Sequence, residues 1–99
     1  MHISQRSYAG TLESSDLLVE VAPCEGGHLE IDITSSVEKQ FEAAIRRVVS
    51  ATLDEMGVKA AAIVVNDKGA LDCVIRARVQ AAVMRASGIG SNDIIWGAV

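Results

Sequence analysis

Three patterns in this 99-residue chain predict an α+β domain, a mostly antiparallel sheet with two helices packed on one face. Leu17, Val19 and Val21 alternate with Leu18 and Glu20, and Leu29, Ile31 and Ile33 alternate with Glu30 and Asp32. This is the period-two signature of strands with one apolar side. Two long stretches, Ser35 to Met56 and Gly69 to Ser87, repeat their apolar residues at helical spacing. Between them Ala60 to Val65 is short, unbroken and apolar, as suits a central strand covered on both faces.

Each element has its own local signals. Arg6 to Leu12 supplies a first strand, joined to the Leu17 strand by the turn Glu13-Ser14-Ser15-Asp16. Pro23-Cys24-Glu25-Gly26-Gly27 is hairpin chemistry between the second and third strands. Ser35, with Glu38 three residues on, forms a capping box at the start of the first helix. Val37, Phe41, Ala44, Ile45, Val48, Val49, Leu53 and Met56 make its apolar stripe. Glu38, Lys39, Glu42, Arg46, Arg47 and Asp54 take the other side, with Glu42 and Arg46 a favourable i,i+4 pair. Gly57 is a natural C-terminal cap. In the second helix Leu71, Val74, Ile75, Val79 and Ala82 face the core, and Cys73 falls near them as a small core residue. Arg76, Arg78 and Arg85 flank that stripe. They either snorkel along the helix edge or meet the phosphates of a bound group or an acidic partner.

The order is strand, strand, strand, helix, strand, helix. The crossover from Ile33 to Ile63 is right-handed if those strands are parallel. With both helices on one face, the other face of the Ala60–Val65 strand is an exposed apolar patch, which marks a partner interface. Either Ala61 or Ala62 lies on it. The chain reads as one domain over residues 1–99. Residues 88–99 form a tail in which Gly88-Ile89-Gly90-Ser91-Asn92-Asp93 resembles a flexible link. Ile94-Ile95-Trp96 beyond it either packs on the domain or anchors to a partner.

Composition narrows the function. Hydrophobic residues are 49% and charged ones 22%, which fits a soluble globular domain, and only 3% are aromatic, so the core is aliphatic. A formal net charge of -4 argues against nucleic acid as a partner. No apolar run has the length of a membrane span and no signal segment opens the chain, so a cytoplasmic location is expected. Cys24 and Cys73 have no C-x-x-C spacing and need no disulfide in a reducing compartment. His2 and His28 read as exposed polar residues and no metal site is expected. A Ser14-His28-Asp16 triad is disfavoured because there is neither a nucleophile elbow nor an evident oxyanion donor. The domain reads as one without catalytic residues of its own.

Gly10-Thr11-Leu12-Glu13-Ser14-Ser15-Asp16 places a serine hydroxyl at a hairpin tip, where a modifying enzyme can enclose it. This stretch resembles the prosthetic-group site of the acyl carrier (gamma) subunit of citrate lyase, a family pattern close to G-T-L-E-S-G-D. Ser35-Ser36-Val37-Glu38-Lys39-Gln40-Phe41 resembles that family's first helix opening. Asp67-Lys68-Gly69-Ala70-Leu71-Asp72-Cys73, on to Arg76-Ala77-Arg78, resembles its second. The blocks keep the family's order and spacing. Ser15 stands where a glycine is usual, so two adjacent hydroxyls compete. The alignment favours Ser14. A hairpin tip also wants a residue at positive φ, a role Ser15 fills at a cost of about 1 kcal/mol. Glu13 and Asp16 are each placed to stabilise the turn with a hydrogen bond and to steer a basic enzyme toward it.

The resemblance implies a non-catalytic carrier. Ser14 bears a 2'-(5''-phosphoribosyl)-3'-dephospho-CoA arm through a phosphodiester, and the arm's thiol is acylated as a thioester. The implied partners are an alpha subunit that exchanges acetyl for citrate and a beta subunit that splits the citryl thioester to oxaloacetate. A prosthetic-group transferase and an acetylating ligase complete the set. Carriers of fatty-acid type are excluded, because they are helical bundles with Asp-Ser-Leu at a helix start. Two alternatives remain: a carrier of a related complex such as citramalate lyase or malonate decarboxylase, and a non-covalent ligand-binding or oligomerising α+β module.

Overall fold

The computed structural model describes residues 2–35 and 42–88. Its elements are β1 (Ser7–Gly10), β2 (Leu17–Ala22), β3 (Leu29–Ser35), α1 (Glu42–Glu55), β4 (Ala61–Asp67) and α2 (Asp72–Ala86). The element order matches expectation and the domain is α+β. The expected capping box lies only partly within view. Ser35 closes β3 and its Oγ donates to Asp67 Oδ2 at 3.0 Å, whereas Glu38 lies outside the described residues. The tail from residue 89, with Trp96, also lies outside them.

The sheet order is β1-β2-β4-β3. β1 and β2 are antiparallel, as are β2 and β4, while β3 runs parallel to β4. This corrects the expected β2–β3 hairpin. The Pro23–Gly27 turn does not fold β3 back on β2. It carries the chain past the end of β4, where the Ala61 N–H donates to the His28 carbonyl at 3.1 Å. The apolar run of β4 explains the insertion: Ala61, Ile63 and Val65 are almost fully buried and gain most from a central position.

One sheet face is covered by both helices. Leu17, Val19 and Val21 of β2 and Ile33 of β3 pack there with Ile63 and Val65, under Ile45, Val49 and Leu53 of α1 and Ile75, Val79, Ala82 and Val83 of α2. α1 ends in a Schellman motif. Gly57 has φ +71°, its N–H donates to the Asp54 carbonyl at 3.0 Å, and Val58 N–H reaches the Leu53 carbonyl at 3.0 Å. The Glu42–Arg46 pair forms at 3.8 Å.

Among the described residues the other face is open, so β4 is central in the sheet yet covered by them on one side only. Ala62 and Val64 point there, Val64 being 41% exposed, beside Tyr8, Leu18 and Glu20. Two further expectations fail at α2. Its first turn begins at Asp72, not Gly69, so Leu71 becomes the N-cap and is exposed, and Cys73 is exposed as well. The buried stripe starts a turn later, at Ile75. In α1, Ala44 is exposed and Thr52 is buried, its Oγ1 returning a hydrogen bond to the Val48 carbonyl at 2.8 Å. Among the described residues no helix is long and apolar enough to cross a membrane.

Candidate functional site

Ser14 sits at the outer end of the β1–β2 hairpin. The Asp16 N–H donates to the Glu13 carbonyl at 3.2 Å, closing a turn with Ser14 and Ser15 at its centre. Both serines are exposed. Ser15 has φ +66° and is the one non-glycine residue at positive φ among those described. It therefore occupies the position where the expected glycine would be unstrained. Ser14 Oγ makes no hydrogen bond within the described residues, so no internal bond opposes its use.

The turn is braced from beneath by Asp16. Its Oδ2 accepts from Thr11 Oγ1 at 2.8 Å and its Oδ1 from the Leu17 N–H at 2.7 Å. Arg78 of α2 spans both oxygens, Nε to Oδ1 at 3.1 Å and Nη2 to Oδ2 at 3.3 Å. The guanidinium first, with help from the Leu17 and Thr11 donors, holds the Asp16 carboxyl down at about 2 against a penalty from desolvation. Thr11 Oγ1 also accepts from the Glu13 N–H at 3.1 Å, so Glu13 joins the network through its backbone. Asp16 is thus the turn's hub. Its charge is neutralised by Arg78, which removes it as the free steering charge that the sequence suggested.

A second brace comes from the segment after β4. Ser15 N–H donates to the Lys68 carbonyl and Lys68 N–H to the Asp16 carbonyl, both at 2.9 Å. This reciprocal clasp joins the serine turn to the Asp67–Gly69 bend. Gly10 lets the base of the turn pass close to Leu17 and Arg78. At φ +94°, a Cβ there would stand 1.9 Å from the Leu17 carbonyl oxygen and 3.3 Å from Arg78 Cδ. Beside the bend, a cavity of about 260 Å³ opens between the helices, lined by Ala44, Ile45, Asp67, Ala70 and Ile75 among others.

The three arginines all have protein partners. Arg78 holds Asp16, Arg85 Nη1 donates to the Tyr8 carbonyl at 2.7 Å, and Arg76 pairs with Glu55. His28 lies beyond the far end of β2 from Ser14, next to Glu30, so the residues of a Ser14-His28-Asp16 triad are not brought together. The sequence places Gly10, Thr11 and Lys68 in the family blocks but does not reveal their bracing roles. Only Gly10, a glycine immediately before a turn, carried a local signal.

Comparison with known proteins places this geometry in a family. Residues 4–86 match the acyl carrier family model described as the malonate decarboxylase delta subunit. A citrate lyase acyl carrier protein of Vibrio cholerae is 57% identical over 97% of this chain and 96% of its own length. That of Pectobacterium atrosepticum is 60% identical over 97% of each, and that of Escherichia fergusonii 50% identical over the whole of both. The chain belongs to the citrate lyase acyl carrier protein family. Among solved structures, a chain of a Pseudomonas malonate decarboxylase hetero-tetramer in complex with malonate superposes with a TM-score of 0.70. It is 25% identical, with 87% of this chain and 92% of that one covered. As a member of the citrate lyase carrier family, the chain is an acyl carrier protein and not a stand-alone α+β module.

Proposed function

We propose that this chain is the carrier subunit of a citrate lyase complex, bearing a phosphoribosyl-dephospho-CoA arm on Ser14. The observation that carries the reading is the exposed Ser14 hydroxyl, unbonded among the described residues, at the tip of a turn fixed from below by Asp16, Arg78 and the Lys68 backbone. A bonded or buried hydroxyl would not suit attachment; this one does. In attachment, Ser14 Oγ forms a new bond to phosphorus, its proton passes to a base of the attaching transferase, and the phosphorus loses its leaving group. When bound, the arm supplies a thiol that carries acetyl and citryl groups as thioesters.

The chain's own part is presentation. The turn holds the attachment oxygen at one end of the molecule, so the domain body stays clear while the arm reaches the alpha and beta subunits. Tethering raises effective concentration at each without a new contact. Lys68 and Arg78 are the basic residues that the fold brings to this end, nearest to the charge of the phosphodiester. The open sheet face is the surface we assign to the large subunits. A cytoplasmic setting suits the free thiols of Cys24 and Cys73.

Identity of 50 to 60% with citrate lyase carriers, against 25% for the malonate decarboxylase chain, favours the citrate complex over the related one. Co-expression with the arm-attaching transferase, followed by intact mass and mapping of the Gly10–Glu20 peptide, tests the site. The arm's mass is expected on Ser14 and absent from Ser14→Ala, whose circular dichroism is unchanged. An arm on Ser15, or a Ser14→Ala protein that still gains the mass, overturns the assignment.

A further inference from the structure

At the end of the sheet remote from Ser14, the connection from β2 to β3 gathers three donors of the kind that bind metals. Cys24 Sγ, a ring nitrogen of His28 and a carboxylate oxygen of Glu30 all lie within 4.8 Å of one another. Cys24 is a free, part-buried thiol. His28 Nε2 stands 3.0 Å from Glu30 Oε1. The sequence alone predicts no metal site, because Glu30 lies on a strand and nothing local pairs it with Cys24 and His28.

The imidazole is held in place from its other side. A Cβ at Gly26 would stand 2.2 Å from His28 Cε1 and 2.5 Å from Nδ1, so only a glycine lets the ring lie there. The Gly26 backbone thus closes on the ring from one side, while Glu30 Oε1 meets Nε2 on the other. An imidazole whose orientation is fixed by its surroundings, with one nitrogen turned to an acidic donor, is positioned as metal-bound histidines are. The loop backbone is itself fixed, because the His28 carbonyl accepts from the Ala61 N–H of β4.

We propose that Cys24, His28 and Glu30 form a three-ligand site for a divalent cation of the zinc class, which pins the β2–β3 connection and leaves a fourth position for water. A thiolate with an imidazole selects borderline transition ions over magnesium or calcium. Zinc bonds of about 2.0–2.3 Å in a tetrahedron set donor separations near 3.5 Å. The His28–Glu30 contact opens slightly to reach that value, a movement that these two exposed side chains make at little cost, and they bring the ion to the part-buried thiol. On binding, the Cys24 thiol gives its proton to solvent and three metal–ligand bonds form. The site is independent of the acyl chemistry, since β2 separates it from the serine turn.

Cobalt titration of the full-length chain tests this, using protein produced without the attaching transferase so that Cys24 and Cys73 are its only thiols. One equivalent is expected to bind with a thiolate-to-cobalt charge-transfer band that Zn²⁺ displaces. Cys24→Ser removes the band. His28→Gln and Glu30→Gln weaken binding by at least about tenfold. Gly26→Ala does the same with every donor present, and Cys73→Ser changes nothing. Circular dichroism confirms that each variant is folded. No band, a band that survives Cys24→Ser, or undiminished affinity in His28→Gln overturns the proposal.

Discussion

Replacing Asp16 with asparagine keeps the shape of the hub and removes its charge. Asp16 side-chain exposure is 14% and that of Arg78 is 42%, so the pair is sheltered on one side only. A carboxyl held at about 2 against 3.8 sets a ceiling near 2.5 kcal/mol at neutral pH, by linkage. Solvent around the guanidinium screens part of it, leaving roughly 1–2 kcal/mol. The sign follows from the direction of the shift. A carboxylate depressed in the folded state stabilises fully above its unfolded value, and that stability is lost as pH falls from about 4 to about 2. Urea unfolding at pH 7 should therefore show Asp16→Asn weaker by this amount with an unchanged m-value. The gap should shrink as the pH approaches 2. Arg78→Gln should lose a similar amount, and the double variant little more than either single one. A deficit equally large at pH 2 and pH 7, or none at pH 7, would refute the view of Asp16 as a charge-paired brace.

Gly10→Ala should cost at least about 2 kcal/mol, since its Cβ meets the Leu17 carbonyl and φ is +94°. A urea midpoint within error of the parent would contradict this. Ser15→Gly relieves a positive φ and should stabilise by up to about 1 kcal/mol; arm attachment by mass spectrometry should be at least as fast as in the parent, and slightly slower for Ser15→Ala. On the open face Ala62 lies opposite Glu30 in the parallel register, so lysine introduces charge without repulsion there. Ala62→Lys should leave the domain folded and weaken co-purification with the two large lyase subunits. Full retention in a folded variant would remove this face as the docking surface.

How far the sequence spoke depends on the range of each interaction. Alternation in β2 and β3, the helical stripes and the Gly57 cap are local, and each was readable from neighbours alone. Ser15 was also readable, because a turn of that length needs a positive φ and no glycine is present in it. Strand order was not. Pro23–Gly27 has the same composition whether it closes a tight hairpin or carries the chain across an inserted strand, and only the burial gained by β4 decides. The arginines illustrate the same limit. Arg78 lies 62 positions from Asp16, and no spacing rule distinguishes it from Arg76 or Arg85. Leu71 was misplaced because it precedes the first helical turn as the N-cap, and Cys73 because two positions carry it about 200° around the helix from Ile75, while Ile75, Val79 and Ala82 are buried as the spacing predicts.

The Lys68 clasp has a kinetic consequence. The β1–β2 hairpin is a local element that forms early, yet its turn is completed by backbone partners some fifty residues later in the chain, after β3, α1 and β4. Non-local strand pairing over that distance is slow compared with hairpin formation. During synthesis and refolding, then, the serine exists on a hairpin before it exists on a finished surface. If the attaching transferase recognises the clasped turn, acceptance of the arm should lag behind hairpin formation and coincide with docking of β4. Quenched refolding with the transferase present would time the two events. Attachment keeping pace with β4 would make the prosthetic group a mark of chains that have completed their fold.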